Sequence, residues 1–213
     1  MTEFETIPLF PLGIVALPGQ PVPLHIFEER YKQMIGDCLK ADQPFGIVYF
    51  SGERMNAAGC TVRVAKVLKR YEDGRMDIIT HGEQRFVIDR IIEEKAYLEA
   101  DISYFNDIPE PLSASAKSAA ELGVSLLAEI SELLLGREDD AMYVTEDPEL
   151  LSFVLAGNDG FEAEEKQQFL EITSTNRRLE KCTRALESIV GRLRLTTRIK
   201  KIIGGNGHLG HES

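Results

Sequence analysis

Residues 7–31 constrain the fold more than any other stretch and read IPLFPLGIVALPGQPVPLHIFEERY. Two apolar segments, residues 7–12 and 22–26, each contain prolines, and residues 18–21 between them (PGQP) have the composition of a turn. Because a proline cannot donate a ladder hydrogen bond, we expect edge strands or extended arches in both segments.

The apolar period changes directly after this stretch. Apolar residues recur at positions i, i+3, i+4, i+7 and i+8, which predicts one amphipathic helix. These residues are Tyr31, Met34, Ile35, Cys38 and Leu39. Residues 45–50 are apolar and rich in β-formers, which predicts a buried strand, and the Asp73-Gly74 pair between two β-type runs predicts a hairpin. Residues 85–92 and 98–104 bring the total to about six short strands, so we expect a small curled sheet or barrel.

The sequence pattern changes from strand-like to helical at residues 106–111, where two prolines occur, and this change predicts a subdomain boundary. We predict a β-rich subdomain over residues 1–108, a helical subdomain over 109–203 and a disordered tail over 204–213. Helix limits are indicated by Gly136, by Asp147 before a proline and by Gly157. The fold class is therefore α+β, ending in a long helix.

The net charge of −11 argues against a generic nucleic-acid binder, because phosphate contacts need a basic surface. The charge is uneven: residues 138–171 hold eleven acids and one lysine, whereas residues 177–201 hold nine basic residues and two acids. Two interpretations stay open, namely solvated helix faces that attract each other and a basic docking strip.

Several observations predict a cytoplasmic protein. The apolar runs are too short to span a bilayer, and two acids precede any apolar segment, which is unlike a secretory signal. The cysteines, Cys38, Cys60 and Cys182, are odd in number and form no C-x-x-C pair. We expect three free, buried thiols in a reducing compartment.

No motif for catalysis, a cofactor or a metal is found. The sequence lacks a P-loop and the G-x-S-x-G, H-E-x-x-H and S-x-x-K patterns. Ser113 and Lys117 are one helical turn apart but are expected at an exposed helix start. His25 is expected to be a hydrogen-bonded core histidine, and His208 with His211 gives only two potential metal ligands.

The sequence resembles the Lon N-terminal, or Lon substrate-binding, domain over roughly residues 6–195. The resemblance is carried by residues 8–12, 18–19, 23–31 and 45–48, and later by residues 73–75, 82–86, 164–167, 170–171 and 178–179. Cys60 is inserted in the family's Gly-Thr step, and residues 174–176 replace its usual acidic stretch.

The resemblance implies a PUA-like β pseudo-barrel with one helix, followed by a C-terminal helical bundle. It implies recognition of unfolded or specific polypeptides without the AAA+ and protease modules, as an adaptor or holdase-like factor. A separate ATP-dependent protease is the partner that this role implies. RNA binding, through residues 177–201, is the alternative, and an unrecognised hydrolase is a third hypothesis.

Charged and aromatic residues inside apolar sequence are the candidate site residues. Glu28, Arg30 and Arg85 are predicted structural charges, with an Arg85–Glu28 ion pair as the hypothesis, and Leu24, Ile26 and Phe27 are predicted core. Four aromatics near strand ends are predicted either to bind polypeptide or to cap the barrel core: Tyr49, Phe50, Tyr71 and Tyr104.

Overall fold

The computed structural model describes residues 5–135 and 145–205, with side chains for residues 5–134 and 145–199. Within these ranges the chain forms six strands and five helices. The strands are β1 (Glu5–Leu12), β2 (Pro21–Ile26), β3 (Phe45–Phe50), β4 (Met55–Arg70), β5 (Met76–Ile92) and β6 (Glu99–Tyr104). The helices are α1 (Glu29–Ala41), α2 (Ala114–Leu135), α3 (Pro148–Ala156), α4 (Ala163–Glu171) and α5 (Thr175–Gly205). The predicted α+β class is confirmed.

The six strands form one sheet in the order β2-β5-β4-β3-β1-β6, and β5 also pairs with β6. Because β5 pairs with β4 on one side and with β6 on the other, β5, β4, β3, β1 and β6 close into a barrel, and β2 extends β5 outside that ring. The core contains Ile7, Leu9, Val48, Phe86 and Ile102. The predicted curled sheet is thus present.

The prolines of β1 do not place this strand at an edge, so that prediction is wrong for residues 7–12. The strand changes partner midway: Glu5–Pro8 pair with β6, and Leu9–Leu12 pair in parallel with β3. Each half of β1 forms a hydrogen-bonded ladder with one neighbouring strand. A proline in either half therefore does not remove an N–H that two neighbouring strands both require. The edge prediction is confirmed for β2, which pairs with β5 alone among the described strands.

The hairpin predicted at Asp73-Gly74 joins β4 to β5. The Tyr71 N–H donates to the Arg75 carbonyl (2.9 Å), and the Gly74 N–H donates to the Tyr71 carbonyl (3.0 Å). Gly74 has a φ of 83°, a left-handed conformation that glycine adopts without a Cβ clash. The α1 stripe is also as predicted, because Tyr31, Met34, Ile35 and Cys38 are buried.

Contacts divide the chain into two compact units, Met1–Pro109 with Phe161–Ser174 and Glu110–Gly160 with Thr175–Ser213. The second segment of the first unit contains α4. The sequence analysis assigned this segment to the helical subdomain, so the division of the chain differs there from the prediction. Its hydrogen bonds explain the difference: the Gln167 side chain donates to the Ala58 carbonyl of β4 at 3.1 Å.

The second unit packs α2 and α3 against α5. Asp147 caps α3 before Pro148, as predicted, with its carboxylate accepting from the Glu149 N–H at 2.9 Å. The buried side of α5 includes Leu179, Cys182, Leu186 and Ile189. Helix α5 continues to Gly205, so the first two residues of the predicted tail are helical. Residues 206–213 of that tail, and Gly136 at the predicted end of α2, lie outside the described residues. None of the described helices combines the length and apolarity of a membrane span.

Candidate functional site

An open apolar groove of about 300 Å³ lies beside the N-terminal motif. Its walls are the end of β1, the β1–β2 loop, β2 and the start of α1. We call this surface the groove, and its lining residues are Phe10, Leu12, Gly13, Ile14, Pro23, Leu24, His25, Ile26, Phe27, Glu28 and Tyr31.

Two apolar groove residues are exposed. Phe27, which the sequence predicted as core, is 59% exposed, and Ile14 is 41% exposed. Ile26 and Val22 point inward and are buried, whereas the alternate residue His25 points outward. His25 is therefore hydrogen-bonded, as predicted, but it is not a core residue, because the two-residue period of β2 places it on the open face.

A polar network borders the groove at His25. Its Nδ1 lies 2.6 Å from Asp77 Oδ1, and the Tyr71 hydroxyl donates to Asp77 Oδ2 at 2.8 Å. The hydrogen bonds from His25 and then from Tyr71 hold the pKa of the Asp77 carboxyl below its usual value. The groove thus combines exposed apolar side chains with a fixed polar rim.

The β1–β2 loop is held against β5 by backbone hydrogen bonds. The Gly19 N–H donates to the Gly82 carbonyl and the Gly82 N–H donates to the Gln20 carbonyl, both at 2.9 Å. A Cβ on Gly82 would overlap the carbonyl oxygen of Leu17, so this approach requires glycine. These bonds hold the end of the loop, which follows the groove residues Gly13 and Ile14, against β5.

Arg85 makes a different ion pair from the one predicted. Its Nη2 lies 2.6 Å from Asp107 Oδ1, with side-chain exposures of 2% and 6%, whereas Glu28 accepts from Arg30 at 2.9 Å. The Arg85–Glu28 hypothesis is wrong. The reason is that Arg85 points inward from β5 to the chain that follows β6, while Glu28 lies on an exposed surface beside α1.

Arg85 also organises a second concave surface of the first unit. Its Nη1 donates to the carbonyls of Leu170 (3.0 Å) and Ile172 (2.7 Å), and its guanidinium carbon lies 4.7 Å from the centre of the Phe105 ring. The adjoining cavity measures about 490 Å³. We call it the cleft, and it is lined by Arg54, Asn56, Ala57, Ala58, Val87, Phe105, Glu171 and Thr173.

The four predicted binding aromatics do not form one site. Tyr49 is buried and donates to Glu164 Oε1 at 2.5 Å, and Tyr71 belongs to the groove's polar rim. Phe50 and Tyr104 are partly exposed at the ends of β3 and β6. None of the four lines the groove or the cleft, and their part in binding stays a prediction.

The other candidate residues have identifiable structural positions. The Ser113 Oγ accepts from the Ala116 N–H at 3.0 Å and so caps α2. Cys38, Cys60 and Cys182 are free and buried, as predicted. The basic strip is interrupted, because Arg178 is fully buried. His208 and His211 lie outside the described residues; within those residues no cluster of three metal-ligating side chains occurs.

Curated relatives match this chain through a part of their length. The chain is 26% identical to the Lon protease of Anaeromyxobacter dehalogenans, covering 93% of this chain and 25% of that protein. It is 28% identical to the Lon protease of Rhizobium meliloti, covering 93% and 26%. The chain thus spans about a quarter of the length of these relatives.

Solved structures establish the fold. The crystal structure of a Lon N-terminal domain protein from Xanthomonas campestris superposes with a TM-score of 0.65 at 23% identity, covering 83% of this chain and 96% of that one. The N-terminal domain of Mycobacterium avium complex Lon protease gives 0.65 at 18% identity, covering 86% and 98%.

The family profile gives the assignment, and it confirms the resemblance seen in the sequence. It describes the substrate-binding domain of ATP-dependent protease La and matches residues 6–188. Since this match includes the motif that builds the groove and most of the helical unit, the chain belongs to the ATP-dependent protease La (LON) substrate-binding domain family.

Proposed function

We propose that the chain is a non-enzymatic polypeptide-binding module and that the groove contacts apolar segments of its clients. The observation that carries the proposal is the exposure of Phe27 and Ile14 within a concave apolar surface. Exposed apolar surface with a polar rim is typical of protein-binding sites. Family membership supports the same reading, because the family is defined as a substrate-binding domain.

The groove favours binding through side chains over the addition of a strand to β2. Pro21 and Pro23 are exposed on this edge strand and have no N–H. Being two residues apart, they remove donors from the same edge, and an added strand would need donors there at alternate positions. Apolar client side chains against Phe27, Ile14 and Leu24 are therefore the expected contacts.

A non-enzymatic role fits the state of the potential nucleophiles. Burial raises the pKa of Cys60 to about 12, and the thiolate rather than the thiol is the nucleophile. Ser113 is occupied as a helix cap. We infer that the chain acts as an adaptor or holdase-like factor and that any client cleavage requires an ATP-dependent protease activity.

The test is a titration of reduced, fluorescein-labelled casein followed by anisotropy. Saturable binding that survives moderate salt is expected, since apolar contacts are not screened. Phe27→Ser should raise Kd about tenfold, equivalent to about 1.4 kcal/mol, as expected for an aromatic anchor.

The matched control is Leu68→Ser, which removes a side chain of similar exposure (55%) on β4, outside the groove. Its Kd should stay within about twofold of the wild type. Equal loss in both variants, or no casein binding by the folded wild-type chain, would contradict the proposal.

RNA binding is the competing function and has weaker support. The basic strip is interrupted among the α5 side chains that the structure describes, because Arg178 is buried and Arg194 pairs with Glu129 at 2.5 Å. Binding of an RNA oligonucleotide that falls steeply with salt would favour this alternative.

A further inference from the structure

The cleft has the chemistry of a site for a chain end. We propose that it binds the free C-terminus of a polypeptide, with the Arg54 guanidinium on the terminal carboxylate, the Asn56 amide on the last peptide group and the terminal side chain against Phe105 and Val87. This inference rests on the polypeptide binding proposed above and assigns a second subsite to it.

Hydrogen-bonding groups in the cleft are unused within the protein. In the part of the chain that the structure describes, the Arg54 guanidinium, the Asn56 amide and the Thr173 hydroxyl have no hydrogen-bond or ion-pair partner. A guanidinium presents a planar array of donors that matches a carboxylate. A primary amide offers one acceptor and two donors, which match the N–H and C=O of a peptide group.

The same cavity has apolar walls next to these polar groups. Val87 is 37% exposed on β5, and Phe105 is half-buried after β6. Ala57 and Ala58 from β4 add small side chains, which leave room between the walls. A volume of about 490 Å³ is within the range of pockets that enclose small ligands, so the cleft is large enough for a terminal residue and its peptide group.

The walls are held in place without a ligand. Arg85 bonds to the backbone at Leu170 and Ile172 and stacks on Phe105, and the Ile108 N–H donates to the Thr173 carbonyl at 2.9 Å. A preformed site avoids the ordering cost that a flexible surface pays on binding. The bonds of Arg85 and Ile108 account for the rigidity of the walls. The side-chain hydrogen-bonding groups of Arg54, Asn56 and Thr173 take no part in these bonds and can bind a ligand.

The hydrogen-bond donors of Arg54 suit an anionic group. The cleft has two charged residues, Arg54 and Glu171, and Glu171 Oε1 already accepts a hydrogen bond from the neutral Gln167 side chain at 2.8 Å. Both residues keep their charge, and Arg54 is the one whose charged group has no hydrogen bond among the described residues. A single arginine beside an acid, in a chain of net charge −11, suits one carboxylate better than the repeated phosphates of a nucleic acid.

The experiment compares two N-terminally labelled decapeptides of the same apolar-rich sequence ending in leucine, one with a free carboxylate and one with a C-terminal amide. Anisotropy with the intact chain should show the free acid binding about twofold to fivefold more tightly at low salt, the range expected for a solvent-accessible ion pair. The preference should shrink as salt is added.

Arg54→Gln should abolish the preference for the free acid while leaving amide binding unchanged. Arg184→Gln makes the same charge change at an exposed arginine on α5 outside the cleft, and it should keep the preference. Because Arg54 and Arg184 are both exposed, and the Arg54 side chain has no hydrogen bond among the described residues, both variants should fold with wild-type melting temperatures.

Equal affinities for acid and amide in the wild type, or a preference that survives Arg54→Gln, would overturn the assignment while casein binding at the groove stands. Arg54-dependent displacement of the peptide by a single-stranded RNA decamer would overturn it in favour of phosphate binding. Failure of casein and of both peptides to bind would overturn the proposed function together with this inference.

Discussion

The guanidinium of Arg85 and the carboxylate of Asp107 lie 2.6 Å apart, and both side chains are almost completely buried. Two further bonds from the same guanidinium reach the carbonyls of Leu170 and Ile172, so one side chain joins β5, the chain after β6 and the end of α4. These three segments are distant in sequence. The pair is consequently both a source of stability and the support of the cleft.

Removing this arginine should destabilise the fold strongly. Arg85→Ala removes the cation paired with the buried Asp107 carboxylate and the donor that bonds to the Leu170 and Ile172 carbonyls. Breaking a buried pair on one side costs roughly 3–5 kcal/mol, so the free energy of unfolding should fall by about that amount. Urea denaturation followed by circular dichroism measures it.

Glu28→Ala is the matched control, since Glu28 pairs with Arg30 on the surface. Exposed pairs contribute at most about 1 kcal/mol, so this variant should stay close to the wild type. A loss in Arg85→Ala as small as that in Glu28→Ala would show that the buried pair does not support the fold.

Features encoded by neighbouring residues were predictable from the sequence. Asp73-Gly74 specifies a tight turn by local backbone preference, and the α1 stripe follows from helical periodicity. The two-residue alternation of side chains in β2 was also visible in the sequence. Periodicity assigns each residue to one face of a strand, but it does not show how much of that face the rest of the protein buries. The sequence therefore placed Phe27 and His25 in the core, although both are exposed.

The ion pair and the cleft had no comparable local signal. Asp107 is 22 residues from Arg85, and the carbonyl of Ile172 is 87 residues away. Backbone carbonyls are the same for every residue type, so no sequence pattern marks them as partners of an arginine. The cleft likewise joins short segments of β4, β5 and α4, where β4 pairs with β5 in the sheet and α4 is bonded to β4 through Gln167 and Ala58.

Acid should weaken the groove's polar rim. The pKa of Asp77 is lowered from its ordinary value of 3.8 by the hydrogen bonds from His25 and Tyr71, so the unfolded chain takes up the proton first as the pH falls. The stabilisation is complete above the ordinary value and is lost as the pH falls through the lower folded value. Asp77→Asn should therefore show a shallower loss of urea midpoint as the pH falls through 3.8.

Part of the acid sensitivity should persist in Asp77→Asn, because hydrogen bonds from Thr6 and from Tyr49 lower the pKa values of Asp101 and Glu164 as well. Glu53→Gln changes an exposed carboxylate in the β3–β4 turn and serves as the control. If Asp77→Asn and Glu53→Gln gave the same slope as the wild type, the network at His25 would not contribute to stability.

The three thiols should resist alkylation in the native protein. Burial raises the pKa of Cys38 to about 11 and those of Cys60 and Cys182 to about 12, which leaves almost no thiolate at neutral pH. Iodoacetamide at about pH 8 should modify them at least about a hundredfold more slowly than an exposed cysteine. Mass spectrometry before and after urea unfolding measures the difference, and rapid native labelling of Cys60 would contradict the buried position.

Gly82→Ala should connect fold stability to the groove. A Cβ at this position would overlap the Leu17 carbonyl oxygen and lie 2.8 Å from its carbon, and these backbone atoms cannot move without shifting the β1–β2 loop. Overpacking of this kind costs roughly 1–3 kcal/mol. Because the displaced loop forms a wall of the groove, casein affinity should fall with the urea midpoint.

Gly36→Ala separates this effect from a general response to losing a glycine. A Cβ on Gly36 meets no atom within 4 Å, and the residue lies inside α1, where alanine is favoured by roughly 1 kcal/mol. This variant should be more stable than the wild type and bind casein equally well. Unchanged casein affinity in Gly82→Ala, together with a lower urea midpoint, would show that the position of the β1–β2 loop against β5 does not determine casein binding. The surface that contacts casein would then have to lie elsewhere on the first unit.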